Sequence, residues 1–297
     1  MTAAAPITDW IGRERRDEDE ITVTAVRRLA ATLDRDPTRF GHGSELPESW
    51  YAILFAPLAR HGELGADGHP AADDFLPQPA GVRRVFGGRR TRFLRPLRIG
   101  EAVERHSQVT AVAARNGRSG PLTVVTVAHA ISGPSGLAVT EEQDIVYRPA
   151  AKSAGTAPAG TAPAATAAAP PPAPGADAEA EWSRSFDIDP ALAFRYSALT
   201  FNAHRIHYDL EWARGAEFYP GLLVNGGLTV LLLIETARPH LPRAVAGYAA
   251  RAVRPLFVGA AATLRGRLRD GGADLWASGP DGGAAYRVGV TFGDENP

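Results

Sequence analysis

The 297-residue chain contains no cysteine. This absence excludes disulfide bonds, thiolate metal sites, iron–sulfur clusters and a cysteine nucleophile, and it is consistent with a reducing compartment. An excess of one charge sign is also missing, because 32 Lys and Arg residues stand against 33 Asp and Glu residues. A formal net charge of -1 provides no general attraction to nucleic acid or to an anionic membrane, so we expect neither as a partner.

Long hydrophobic runs and several common enzyme motifs are absent as well. The longest aliphatic stretch, Val230 to Ile234, is far too short to span a membrane, and Met1 to Ile11 has no run typical of a signal peptide. The chain has no G-x-S-x-G elbow, no phosphate-binding P-loop and no G-x-G-x-x-G after a strand, so serine hydrolases, P-loop enzymes and dinucleotide-binding enzymes lack their motifs here. We expect a soluble, cytoplasmic protein of another class.

Composition divides the chain into two parts. Residues 149–180 consist almost entirely of Ala, Pro, Gly, Thr and Ser, and such a segment has little to bury. The interpretation is an N-terminal domain over residues 1–148, a linker over 149–180 and a C-terminal domain over 181–297.

A short repeat relates the two parts. Arg95 to Gly100 and Arg254 to Gly259 share the pattern R-P-L-x-(I/V)-G, and each copy is followed by a strand-like run. We interpret them as two copies of one supersecondary unit. In the second part, the apolar stretch Gly226 to Arg238 predicts a buried helix, and strands follow it. A buried helix beside an antiparallel sheet indicates an α+β fold.

The first part shows a weaker version of this pattern. Thr24 to Leu33 and the aromatic-rich stretch Trp50 to Ala59 favour helices, and several strands are predicted between Val82 and Tyr147.

The densest polar cluster precedes the predicted buried helix. It consists of Asn202, His204, Arg205, His207, Tyr208 and Asp209. Histidine transfers protons near neutral pH, so the cluster is a candidate acid–base site, whereas the alternative is that it satisfies backbone groups between two helices. A metal site would need Asp209 as a third ligand beside the two histidines, and this spacing matches no standard zinc signature. We therefore expect no metal.

At this point the motifs carry a resemblance to a known family. Phe201 to Asp209 reads F-N-A-H-R-I-H-Y-D, and Tyr219 to Gly227 reads Y-P-G-L-L-V-N-G-G. Both strings resemble the MaoC-like (R)-specific enoyl-thioester hydratases and dehydratases, in particular the double-hotdog subgroup of mesaconyl-C4-CoA hydratases, itaconyl-CoA hydratases and type 2 3-hydroxyacyl-thioester dehydratases. Asp67 to Pro70, Phe75 to Pro77 and Gly87 to Gly100 are similar to the N-terminal half of that subgroup.

The resemblance implies a fold and an activity. The fold would be α+β, a double hotdog of two repeats, each with a long central helix wrapped by an antiparallel sheet. The activity would be reversible hydration of an enoyl thioester, the substrate being an acyl-CoA or an acyl-carrier protein, without metal or redox cofactor. In this interpretation the first half is degenerate and shapes the acyl pocket. A homodimer stays open, and so do two other functions: a hotdog thioesterase and a non-catalytic acyl-thioester binding protein.

The resemblance also implies roles for single residues. His207 falls on the family histidine and would activate water, whereas Asn202 falls on the family aspartate and cannot accept a proton. The second acid–base group would then be His204, which we favour, or Asp209, or His207 would perform both transfers. The backbone N–H of Gly226 or Gly227 would form the oxyanion hole. The candidate substrate-binding residues are Arg205, Tyr208, Asn225 and Arg89.

Overall fold

The computed structural model describes residues 7–76, 82–117, 120–149 and 179–293, and these form one ten-stranded sheet with helices on it. The strands of the first half are β1 (Glu14–Glu20), β2 (Val82–Phe93), β3 (Ala102–Gly117), β4 (Gly120–Gly133) and β5 (Gly136–Pro149). The strands of the second half are β6 (Trp182–Asp187), β7 (Val245–Ala252), β8 (Ala261–Arg269), β9 (Gly272–Ser278) and β10 (Ala284–Phe292).

The order of the strands shows an internal repeat. The sheet runs β1-β3-β4-β5-β2-β7-β10-β9-β8-β6, so both halves have the same order when read inward from their own edges. The halves join in the middle, where β2 and β7 pair antiparallel with Arg89 opposite Ala250. The α+β architecture predicted from the sequence is confirmed.

The two R-P-L-x-(I/V)-G segments occupy equivalent turns, one after β2 and the other after β7. Gly100 and Gly259 end them with φ angles of 96° and 81°, a left-handed conformation that glycine adopts without a steric penalty. The Gly100 N–H donates to the Ile21 carbonyl at 2.8 Å, and the Gly259 N–H donates to the Ile188 carbonyl at 2.9 Å. The two segments therefore share a backbone hydrogen bond as well as a sequence pattern.

The second half is built around one long apolar helix. Helices α1 (Val23–Thr32), α2 (Pro190–Leu199) and α3 (Leu210–Gly215) come before α4 (Gly226–Ala237) in the chain. Eight of the twelve residues of α4 are buried, and the helix packs against β8, β9 and β10. Burial on nearly all sides explains why its sequence is apolar around the whole helix.

The equivalent helix of the first half is much shorter. Residues 44–46 lie along 97–99 as residues 222–224 lie along 256–258, but the chain then forms only a 3₁₀ helix, Glu48–Ile53. Pro47 offers no side-chain cap to this segment, and Phe55 turns into the left-handed region with φ 58° before Pro57. The long central helix expected in each half is thus present in the second half and reduced to this turn in the first.

A polar contact ties the short helix to the long one. The Trp50 indole N–H donates to Glu235 Oε1 at 3.0 Å, and Arg35 pairs with Glu235 Oε2 at 2.8 Å. Glu235 is on α4, so the first half packs directly on the central helix of the second. The two halves consequently share one hydrophobic core, which contains residues of both.

Most of the predicted linker, 149–180, lies outside the described residues; Pro149 ends β5, and β6 begins at Trp182. The domain boundaries therefore stay a prediction. No helix in the described ranges is both long and apolar enough to cross a membrane.

Candidate active site

The polar loop between α2 and α3 is held by its own side chains. After Phe201, which has a left-handed φ of 48°, Asn202 Oδ1 accepts a hydrogen bond from the His204 N–H at 3.0 Å. A 3₁₀ turn, Arg205–His207, follows, and Asp209 then caps α3 by accepting from the Trp212 N–H at 3.0 Å. This side-chain capping fixes the direction of each polar residue.

His207 is positioned as a base. Its Nδ1 lies 2.9 Å from the Leu223 carbonyl oxygen, which can only accept, so Nδ1 carries the proton and Nε2 keeps its lone pair. Burial lowers the pKa of His207 below its ordinary value of 6.5, although the bond to Leu223 opposes the shift. The imidazole is therefore neutral and able to accept a proton at neutral pH.

His204 lies beside His207, and the two ring centroids are 5.6 Å apart. Burial, followed by the repulsion that protonated His69 and His207 would exert, lowers the pKa of His204 to about 2. At neutral pH this imidazole is uncharged and a very weak base. That property counts against the acid–base role that the sequence favoured for His204.

Two residues of the first half complete the cluster. The His69 ring lies 4.1 Å from the His204 ring, and His69 Nδ1 is 3.1 Å from Asp67 Oδ2. Burial opposes ionisation of Asp67, but hydrogen bonds from His69 outweigh it and lower the Asp67 pKa to about 2. Neither residue was expected in the site from the sequence. The available signal was the similarity of Asp67 to Pro70 to the same family.

Gly68 allows the two loops to meet. It has a φ of 89°, and a Cβ atom at this position would lie 1.9 Å from the Ala203 carbonyl oxygen. The adjacent Asp67 carbonyl accepts a hydrogen bond from the Arg205 N–H at 2.8 Å. The close approach thus brings Asp67 and His69 to the histidines of the second half.

The start of α4 supplies hydrogen-bond donors. Gly226 is the first residue of the helix, so its N–H has no acceptor within the helix, and it lines the cavity. The Gly227 N–H already donates to Asn225 Oδ1 at 2.9 Å. Of the two glycines proposed for the oxyanion hole, Gly226 therefore has the available amide. Asn225 is the helix cap, and it also lines the cavity.

Other candidate residues are placed differently. Arg205 and Asp209 form an ion pair at 2.6 Å, and the Arg205 guanidinium stacks on Trp212. Asp209 is committed to this pair and to the cap of α3, so the structure gives both residues a positioning role in the loop. Tyr208 is exposed and lines the cavity. Arg89 also lines it, with Nε 3.2 Å from Glu141 Oε2.

The cluster opens into one large cavity of about 1840 Å³. Its wall includes His69 from the first half, His204 and His207 from the second, and the start of α4. The volume exceeds that of a typical small-ligand pocket, so it has room for an acyl group and part of a long carrier arm. Residues 52–59, where the first-half helix is missing, form part of the same wall.

One group of side chains could also hold a cation. The ligand atoms of Asp67, His69 and His204 all lie within 4.8 Å of one another. A carboxylate and two imidazoles suit a transition metal. This set differs from the His204, His207 and Asp209 set that the sequence analysis considered, because Asp209 is committed elsewhere. The expectation that no metal is needed stays a prediction.

Two comparisons of sequence relate the chain to known proteins. The profile of the hydroxyacyl-thioester dehydratase type 2 family matches residues 49–258. The chain is 41% identical to mesaconyl-C(4)-CoA hydratase of Chloroflexus aurantiacus over 284 residues, which cover 96% of this chain and 97% of that protein.

Solved structures share the fold. A MaoC-like dehydratase of Phytophthora capsici superposes with a TM-score of 0.66 at 12% identity, over 98% of each chain. A Mycobacterium tuberculosis protein with a double hotdog fold gives a TM-score of 0.54 at 16% identity, over 95% of this chain and 96% of that one. The double hotdog predicted from the sequence is confirmed.

Proposed function

Because the chain belongs to the hydroxyacyl-thioester dehydratase type 2 family, we propose that it catalyses the reversible hydration of a short, branched, dicarboxylic enoyl thioester of the mesaconyl type. One observation carries the proposal. A neutral histidine with a free Nε2, His207, and an available helix N-terminal amide, Gly226, line the same cavity. Hydration of an enoyl thioester needs a base for water and a donor for the thioester oxygen.

The steps follow from these two groups. His207 Nε2 takes a proton from water while the water oxygen bonds to the β-carbon of the substrate. The electron pair of the C=C bond moves onto the thioester oxygen, which becomes an enolate oxygen. The Gly226 N–H and the positive end of α4 stabilise this charge. His207 then returns its proton to the α-carbon, so the net change is the addition of one water molecule.

His207 performs both transfers in this scheme because its neighbours cannot. The Asn202 amide neither accepts nor releases a proton at neutral pH. Its oxygen already accepts a hydrogen bond from the His204 N–H, so only its NH₂ group is left to orient the water. His204 is neutral and borders the imidazolium that forms transiently on His207. From the first half, the His69 ring packs against the His204 ring at 4.1 Å, and Asp67 contacts His69.

The choice of acyl group rests on the Chloroflexus relative, whose name specifies mesaconyl-C(4)-CoA. Its 41% identity extends over nearly the whole of both chains, including the halves on either side of the cavity. We propose that CoA carries the acyl group. The substrate test also includes thioesters of an acyl-carrier protein.

A substrate panel tests the activity. The purified full-length protein is incubated with crotonyl-CoA, mesaconyl-C4-CoA and itaconyl-CoA, and the enoyl absorbance is followed together with the product mass. We expect a water adduct on mesaconyl-C4-CoA. Release of free CoA would support the thioesterase instead, and binding of thioesters without turnover, on CoA and on carrier protein alike, would indicate a non-catalytic binding protein.

The pH dependence follows from His207. The base must be neutral, so kcat/KM falls as pH drops through its pKa, and burial places that pKa below 6.5. We therefore expect a constant kcat/KM from pH 8 to about pH 6.5 and an acidic decline below it. Initial rates across this range measure the profile, and far-UV circular dichroism at each pH checks that the protein is folded. A decline that begins well above pH 6.5 would contradict His207 as the base.

A further inference from the structure

Among the described residues, six arginines line the cavity, and four of them are paired with carboxylates. Those in the wall are Arg15, Arg84, Arg89, Arg105, Arg148 and Arg254. Arg15 and Arg105 both contact Asp17, at 3.4 and 2.7 Å. Arg89 pairs with Glu141 at 3.2 Å, and Arg254 pairs with Asp281.

Arg84 and Arg148 differ from this group. Within the described ranges neither forms an ion pair with a carboxylate, and Arg148 Nη2 donates to the Tyr219 hydroxyl at 3.3 Å. An arginine keeps its charge at any physiological pH, so an unpaired one in a cavity wall favours an anionic ligand.

Strand register separates the two arginines. Arg84 lies opposite Tyr147 in the β2–β5 pair, so it shares a sheet face with Tyr147 and the apolar Ile145. Tyr147 and Ile145 belong to one buried cluster on that face. Arg148 is the next residue after Tyr147 and therefore points to the opposite face.

Arg84 lines the same cavity as His204 and His207. After burial and the neighbouring histidines, its positive charge contributes to the lowered pKa of His204. Burial raises the pKa of Tyr147, the residue opposite Arg84, and the negative charge of Asp73 raises it further. The ion-pair partner of Asp73 is Arg15, at 3.8 Å. The charge of Arg84 therefore acts on a histidine of the candidate site, from the wall of the same cavity.

The chemistry of the proposed substrate requires a cation at this place. In a mesaconyl thioester linked through C4, the β-carbon carries both the methyl group and the free carboxylate. The carboxylate is then one bond from the atom that water attacks. Its binding group must therefore lie beside the histidine that activates the water.

On this basis we propose that Arg84 binds the free carboxylate of the substrate and selects dicarboxylic over simple enoyl thioesters. The inference rests on the proposed function. Arg89 is not suited to the task, because Glu141 already compensates its charge and a second carboxylate would be repelled. A guanidinium can hold a carboxylate through two parallel hydrogen bonds, which also fixes the face of the double bond that water approaches.

The test compares two substrates in the variant Arg84→Gln. For mesaconyl-C4-CoA we expect kcat/KM to fall by about 10²-fold, because a desolvated charge pair is lost. For crotonyl-CoA, which has no carboxylate, we expect a change of less than about threefold, since it uses the same histidines. Arg84→Lys, which keeps the charge without the planar fork, should recover part of the mesaconyl rate.

Two further variants serve as controls. Arg92→Gln removes an exposed arginine from the same strand and should leave both rates unchanged. Arg148→Gln removes the other arginine of the cavity that has no carboxylate partner among the described residues. A selective loss of mesaconyl turnover in this variant, and not in Arg84→Gln, would overturn the assignment. An equal loss on both substrates in Arg84→Gln would also overturn it, because that pattern indicates a structural role.

The wild-type rates separate this inference from the proposed function. If the protein hydrates crotonyl-CoA but not mesaconyl-C4-CoA, the carboxylate site and the mesaconyl-type substrate are both wrong, and only the hydratase reaction stands. If it hydrates mesaconyl-C4-CoA and Arg84→Gln loses no selectivity, the carboxylate site alone is wrong. If it hydrates none of the enoyl thioesters, the proposed function itself is wrong.

Discussion

Replacement of His207 by alanine is expected to lower kcat/KM for hydration by about 10³-fold, with thioester binding retained. In the proposed scheme His207 both removes the proton from water and returns it to the α-carbon. No neighbour can substitute, because the pKa of His204 is lowered to about 2 by burial and Asn202 has no basic nitrogen. Stopped assays with mass detection measure the rate, and thermal unfolding monitors the fold.

His207→Asn separates proton transfer from loop support. The asparagine amide can still donate to the Leu223 carbonyl, as Nδ1 of the histidine does at 2.9 Å, but it cannot take a proton. We expect this variant to be as inactive as His207→Ala and to unfold at a temperature closer to wild type. Substantial turnover in His207→Asn would show that another group is the base.

Gly68→Ala is expected to reduce kcat/KM by about 10²-fold, although Gly68 bears no functional group. A Cβ atom would overlap the Ala203 carbonyl oxygen, since only 1.9 Å separates the two positions. The loop that carries Asp67 and His69 must then move away from the loop that carries His204 and His207. A displacement of about 1 Å is enough to disturb proton transfer on this scale.

Gly43→Ala is the matched control for backbone strain. Gly43 has a left-handed φ of 79°, similar to the 89° of Gly68, but no atom of the described residues lies within 4 Å of its Cβ position. Both variants should lose about 1 kcal/mol of unfolding free energy through the strained φ. Only Gly68→Ala should also lose activity. Equal activity in the two variants would mean that docking of the loops does not contribute to catalysis.

Local pattern was enough to predict much of the architecture. The apolar stretch around Val230 predicted the central helix because a helix that is apolar on all sides must be buried. The two R-P-L-x-(I/V)-G segments predicted the repeat because turns depend on a few residues in sequence. The string from Phe201 to Asp209 indicated the family and its histidine. The short length of the first-half helix was not predicted. The 3₁₀ segment begins after Pro47 and is followed by Phe55 in a left-handed conformation, which local apolar pattern does not reveal.

The composition of the site was decided by contacts between distant segments. Asp67 and His69 reach His204 only because Gly68 lets two loops touch, and no local pattern encodes that approach. The choice between Gly226 and Gly227 depends on which amide the Asn225 side chain caps. The arginines of β2 look alike in sequence, but the pairing of β2 with β5 brings the Arg89 side chain to Glu141, an ion pair at 3.2 Å, and leaves Arg84 without a carboxylate partner among the described residues. Sequence by itself therefore determined which residue types are available and which local elements they form. Tertiary structure decided which of their charges and hydrogen-bonding groups are free to act, because long-range packing determines their partners.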